Sequence, residues 1–185
     1  GFSRPIDADE FRRRVEERTI MEVLKRYEVR PGDVFFLPAG RVHAIGAGCF
    51  VAEIQQTSDV TYRIYDYDRV GTDGRKRELH VAEALEAIDY TFYADHRQPY
   101  TPRYDAVVKL IHCPYFTTLP MTRDFARLDS FVIYLCMAGG VRLTDDLGHV
   151  RTIRRGQTVL LPATTRQVTL TPDADGVKLL ETFIA

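Results

Sequence analysis

A histidine stands at the end of a tightly spaced frame: Gly32, five residues, Pro38, one residue, Gly40, two residues, His43. The glycine turns the chain into an apolar run, Val34-Phe-Phe-Leu37. The Pro-x-Gly pair ends that run sharply, and the following strand can turn an imidazole inward, where a metal could sit. An isolated histidine is more often a packing residue, so the frame carries this reading rather than the residue type. Arg63 stands in an alternating segment with Tyr62, Ile64 and Tyr65. An arginine aimed into a core needs an anionic partner, because an unpaired buried charge is costly. Solvation at a strand edge is the plain alternative. Glu53 alternates with Ile54 and so faces the opposite side. Cys49, Cys113 and Cys136 lack the paired spacing of a thiolate zinc cluster and read as buried free thiols of a reduced compartment. His80 reads as packing or capping at a helix start. His96, His112 and His149 show no ligand spacing.

The positioning elements follow from periodicity. Residues 7–27 predict a helix, with Asp7 or Asp9 as cap and Phe11, Val15, Ile20, Val23 and Leu24 as a broken apolar stripe. Pro31-Gly32-Asp33 predicts a turn. Strands are predicted at 34–37, 48–56 and 61–67, a loop at 68–76, and a helix at 79–88 with Val81, Ala84, Leu85 and Ile88 on one face. Residues 91–104, spaced by Pro99 and Pro102, read as a linker. Beyond it only strands are expected, at 115–119, 130–137, 141–144, 150–153, 158–161, 167–170 and 177–183, the pattern of a small β-sandwich.

An internal repeat organises the chain. Arg30-Pro-Gly-Asp-Val-Phe-Phe-Leu-Pro-Ala-Gly-Arg-Val-His43 aligns without gaps on Arg154-Arg-Gly-Gln-Thr-Val-Leu-Leu-Pro-Ala-Thr-Thr-Arg-Gln167. Self-similarity at one offset argues for two copies of a supersecondary unit. The first copy resembles the second signature motif of the cupin superfamily, whose fold is a double-sheet jelly roll. The second copy has Gln167 in place of the histidine and Thr164 in place of the second glycine, so it reads as structural. Strand-like sequence precedes the second copy from Cys113 to Ile153, whereas a charged helix precedes the first. The expectation is therefore a mainly β protein: a tandem cupin-type jelly roll with inserted helices, its first jelly roll incomplete at the N-terminus. Residues 1–90 would hold the remainder of a catalytic cupin, 91–104 the linker, and 105–185 a C-terminal cupin-like sandwich without metal.

Three further segments extend the motif: Ala52-Glu-Ile-Gln-Gln-Thr-Ser-Asp59, Thr61-Tyr-Arg-Ile-Tyr-Asp-Tyr67 and Arg77-Glu-Leu-His-Val-Ala-Glu-Ala-Leu85. Together with Gly32 to Gly48, they resemble the short bacterial type of class I mannose-6-phosphate isomerase. Cys113-Pro-Tyr-Phe116 and the terminal sandwich look like the same family's C-terminal domain. The resemblance covers the later part of the family's pattern; its two earlier metal-binding segments, with a histidine and a glutamate, have no counterpart here. It implies a zinc-dependent aldose–ketose isomerisation of a sugar 6-phosphate, with His43 as the family's last zinc ligand and Arg63 as the catalytic arginine near C1 and C2. Glu53 would line the pocket. Arg69, six residues after Arg63, would take the place of a phosphate-binding lysine. Remaining ligands are expected upstream of residue 1, in a truncated or cleaved isomerase. The rival is a non-enzymatic cupin module that binds a sugar or sugar phosphate.

Composition narrows the setting. The chain has 185 residues, 45% hydrophobic and 28% charged, with a formal net charge of −1. No bulk field favours nucleic acid or a membrane surface, and no apolar run nears the roughly 20 residues of a membrane helix. A cytoplasmic protein with a small-molecule partner is expected. Unpaired sheet edges in the first jelly roll predict a homo-oligomer or a retained N-terminal fragment.

Overall fold

In a computed structural model, residues 1–58, 60–103, 108–113, 117–121, 125–127 and 130–184 are described. The chain divides into two compact units, Gly1–Arg97 and Gln98–Ala185.

The second unit is an antiparallel sandwich. Its strands are β1 (Ile111–His112), β2 (Thr117–Met121), β3 (Phe125–Arg127), β4 (Val132–Ala138), β5 (Gly140–Asp145), β6 (Val150–Arg154), β7 (Thr158–Leu161), β8 (Gln167–Pro172) and β9 (Lys178–Phe183). One sheet runs β1-β2-β9-β4-β7 and the other β3-β8-β5-β6. From β2 onward the chain crosses between sheets at every step except β5 to β6, the interleaved order of a jelly roll. Alternation drives this: Val132, Tyr134 and Cys136 of β4 face inward and meet Val141, Leu143, Ile153, Val168, Leu170 and Leu179. The buried Tyr134 hydroxyl donates to Glu181 Oε2 at 2.7 Å, directly across the β4–β9 ladder. Six of the seven expected strands lie wholly on described residues. The seventh begins at Tyr115 and Phe116, outside the described residues, and runs into β2. The short β1 and β3 carry too little alternation to have been read.

The first unit is built differently. Helix α1 (Ala8–Glu16) is capped by Asp7, whose Oδ1 accepts from the Glu10 amide at 2.8 Å. It stops well before Tyr27, because Arg18 turns left-handed at φ 60°. A single 3-10 turn, Ile20–Glu22, follows. The expected apolar stripe is still buried, now from two elements: Phe11, Ile20 and Val23 join Phe2 in the core. Helix α2 (Val81–Ala87) adds Val81, Leu85 and Ile88, with Ala84 buried beside them. Tyr90 stacks on Phe2 at 6.1 Å between ring centroids.

The strands expected at 34–37, 48–56 and 61–67 are absent among the described residues. Among its described residues the unit shows only isolated bridges: Phe2 to Leu24, Phe35 to Arg97 and Val70 to Lys76. Alternation marks a segment that fits a pleated sheet, but a strand exists only where a neighbour completes its backbone ladder. No described segment of this unit supplies such a neighbour. Phe50, Val51 and Tyr62 in those segments stay exposed.

Candidate functional site

The repeat segment of the first unit closes two turns. Asp33 N–H donates to Arg30 O at 3.0 Å, and Arg41 N–H to Pro38 O at 3.2 Å. Gly40 sits at φ +83°, and a Cβ there would lie 2.5 Å from Ala87 O, so only glycine fits against the end of α2. Gly40 O accepts from Asp89 N–H at 2.9 Å, which ties the turn to that helix. Val42 packs on the Phe2–Phe11 core. His43 follows directly and is exposed. Its Nδ1 lies 2.8 Å from Arg41 O. A carbonyl can only accept, so Nδ1 carries the hydrogen, and in the neutral ring the lone pair falls on Nε2. That is the tautomer of a metal-ligating imidazole oriented by a backbone carbonyl. Among the described residues no group of three His, Cys, Asp or Glu could hold a metal ion.

Ile64 and Tyr65 pack on the same core and anchor Arg63. His80 grips the Arg63 backbone twice: its N–H donates to Arg63 O at 2.8 Å, and its Nδ1 accepts from Arg63 N–H at 3.2 Å. His80 is the N-cap residue of α2, yet its side chain makes no capping bond to the helix. The Arg63 guanidinium donates to Glu78 O at 3.1 Å. Glu53 is exposed.

Arg69 lies in a charged turn. Asp66 is buried, and its carboxylate receives Arg69 through Nη2 at 2.5 Å and Nε at 3.2 Å. It also receives Arg77, through Nε at 2.7 Å and through Nη2. The Arg77 hydrogen bond, then that of Arg69, holds the Asp66 carboxyl well below the usual carboxylate range. Two residues on, Asp68 pairs with Lys76 at 2.6 Å and Arg18 at 3.1 Å.

His43, Glu53, Arg63 and Arg69 all lie in the first unit. No hydrogen bond or ion pair among the described residues joins any of them to another. Asp66 and Arg77 had no role in the sequence reading, and His80 was read only as packing or capping, since the contacts of His80 with Arg63 and of Arg77 with Asp66 span too much chain for spacing to show. A separate open groove of about 540 Å³, lined by both basic and acidic side chains, among them Arg26, Arg30, Arg97, Asp33 and Asp95, contains none of the four expected residues. Of the three thiols, Cys136 is buried as expected, whereas Cys49 is exposed.

No family model matches the chain. In sequence it is 34% identical over 147 residues to mannose-6-phosphate isomerase ManA of Bacillus subtilis (strain 168), covering 76% of this chain and 46% of that protein. It is 31% identical over 151 residues to mannose-6-phosphate isomerase of Streptococcus mutans serotype c (strain ATCC 700610 / UA159), covering 77% and 46%. In structure it matches the crystal structure of the mannose 6-phosphate isomerase from Bacillus subtilis with a TM-score of 0.81 and 26% identity, over 97% of this chain and 58% of that one. The chain spans about half the length of the curated relatives it matches.

Proposed function

We propose, from the homology of this chain to the cupin-type mannose-6-phosphate isomerases, that it carries part of such an enzyme's site. The reaction would interconvert mannose 6-phosphate and fructose 6-phosphate by moving a proton between C1 and C2. His43 would be one ligand of a zinc ion, through Nε2. Zinc, when bound, supplies Lewis-acid polarisation of the sugar oxygens. The other ligands would come from the part of the relatives' length that this sequence does not cover.

Arg63 would stand beside the reacting carbons and stabilise the oxyanion that develops as the proton leaves. Its backbone is held by His80 and its guanidinium by Glu78 O, so the side chain is partly ordered before binding. Arg69 would hold the phosphate, and Glu53 would line the pocket near the sugar. Free thiols at Cys49 and Cys136 suit a reduced cytoplasm. The observation that most directly supports the metal reading is the Nδ1 bond of His43 to Arg41 O, which in the neutral ring puts the lone pair on Nε2.

The test is a coupled assay for fructose 6-phosphate made from mannose 6-phosphate, with zinc and with chelator, on this chain and on an N-terminally extended one. Zinc-dependent turnover by the extended chain, reduced about 10²-fold or more by His43→Gln, is expected. An extended chain that folds, retains zinc and turns nothing over would sink the enzyme reading in favour of a sugar-binding module.

A further inference from the structure

The turn around Asp66 places two arginines on one carboxylate. Tyr67 and Asp68 are consecutive non-glycine residues in the left-handed region, at φ 55° and 53°. Such a pair is unfavourable and persists only where the surroundings enforce it. Its product is proximity: the chain doubles back so that Arg69 N–H donates to Asp66 O at 3.0 Å, with the guanidinium beside the Asp66 carboxylate. A hairpin then returns the chain a second time. Val70 bridges Lys76, and Gly71 N–H donates to Arg75 O at 2.7 Å. The next residue, Arg77, arrives at the same carboxylate.

Both arginines present the same edge to Asp66, Nε together with Nη2. The Nη1 group of each has no partner among the described residues. The two side chains are 63% and 48% exposed while the Asp66 side chain is 7% exposed, so the clamp is inside and the free edges meet solvent. One carboxylate between two guanidiniums leaves one positive charge in excess. The neighbouring Asp68, between Lys76 and Arg18, repeats that excess. A single arginine would satisfy Asp66 as a structural lock. A second one adds like-charge repulsion, which solvent screens only in part and which a bound anion at the free edges would relieve further.

We propose that Arg69 and Arg77, held side by side by Asp66, form a two-guanidinium fork for a phosphate dianion. The inference deepens the reading above by adding Arg77 as a contact and Asp66 as its positioning residue, and it rests on that reading for the sugar-bound form of the phosphate. Guanidinium pairs match the several oxygens of a phosphate with directed donors, which a lysine cannot do. Fixing both side chains in advance removes the ordering cost that flexible surface arginines would carry.

The experiment titrates the whole isotope-labelled chain with inorganic phosphate, mannose 6-phosphate and mannose, following the arginine Nε–Hε resonances. Both phosphates are expected to shift Arg69 and Arg77, and mannose to leave them unmoved. Tighter binding of mannose 6-phosphate assigns the fork to the ester; equal binding assigns it to the free anion, and either upholds the fork. Arg77→Lys keeps the charge and is expected to weaken phosphate binding about tenfold. Asp66→Asn is also expected to weaken it, although it makes the site more positive; diffuse electrostatics demands the reverse. Unchanged affinity in Arg77→Lys, or tighter binding in a folded Asp66→Asn, overturns the proposal, as does a wild-type chain blind to phosphate. Should Asp66→Asn unfold, the solvent-facing Arg77→Lys decides alone. Phosphate binding that depends on Arg77, in an extended chain without turnover, would sink the isomerase reading and keep the fork. Turnover with an unchanged KM in Arg77→Lys would do the opposite.

Discussion

Arg30–His43 and Arg154–Gln167 are two copies of one sentence placed in two different folds. Their local geometry is the same. Asp33 N–H donates to Arg30 O at 3.0 Å, and Gln157 N–H to Arg154 O at 2.9 Å. The side chain at the same position closes each turn again, Asp33 Oδ2 accepting from Arg30 N–H at 3.1 Å and Gln157 Oε1 from Arg154 N–H at 2.8 Å. Gly32 and Gly156 take φ 98° and 82°. The proline turns match as well, with Arg41 and Thr165 donating to Pro38 and Pro162 at 3.2 and 2.9 Å. What differs is the company. Thr158–Leu161 pairs with β4 in a full ladder, whereas in the first copy only Phe35 is bridged. Gly40 abuts α2, and its counterpart Thr164 is exposed. The comparison teaches that a turn is written in a few residues, while a strand needs a partner from elsewhere in the chain.

The largest expected break in this symmetry is Gly40→Ala. The left-handed backbone and the approach to Ala87 O together predict a loss of about 2–4 kcal/mol in the first unit. The converse change, Thr164→Gly, should cost under about 1 kcal/mol in the second. Residue-resolved hydrogen exchange reads each unit separately, and equal losses would refute the contrast.

Next in size are the turn acceptors. Asp33→Ala should cost about 1–2 kcal/mol, because Asp33 also accepts from Arg97 Nε at 3.3 Å. Gln157→Ala, with one such bond to lose, should cost about 0.5–1 kcal/mol. If urea unfolding of the two variants shows the reverse order, the Arg97 contact adds nothing.

The smallest effect is the response to acid. His96 in the first unit is buried, and neither ring nitrogen has a partner among the described residues. Burial, then the nearby amino terminus, Arg41 and Lys25, pushes its pKa below the ordinary 6.5. The unfolded chain therefore takes up a proton that the folded chain refuses, and stability falls as pH drops through 6.5 toward the lower folded value. Glu10, held to about 2 by its hydrogen bonds with Arg4 and then Arg14, adds a second loss between 4.5 and about 2. In the second unit Asp145, lowered by the His149 side chain, loses its contribution only below about its ordinary 3.8. Exchange protection in the first unit should thus fade at higher pH, and His96→Phe should shrink the earlier phase, leaving the part due to the Gly1 amine, which burial and then Arg41 lower to about 6. Full protection of the wild type from pH 7 to 5 would contradict this.

What the sequence by itself determined is local or periodic. The Asp7 cap, the Gly32 and Gly156 turns, the buried face of α2 and the strands of the sandwich rest on neighbours within a few residues or on a period of two. His43, Glu53, Arg63 and Arg69 were legible as candidates through their frame and family resemblance, because that information is also linear. The tertiary structure alone decided which residues hold them. His80 reaches Arg63 across a gap of 17 residues, and Arg77 reaches Asp66 across 11. It also decided that the described residues of 34–67 form no ladder and that the first helix stops at Glu16. Propensity and alternation describe what a segment can become. Partners brought close by chain closure decide what it does become, and linear spacing does not encode them.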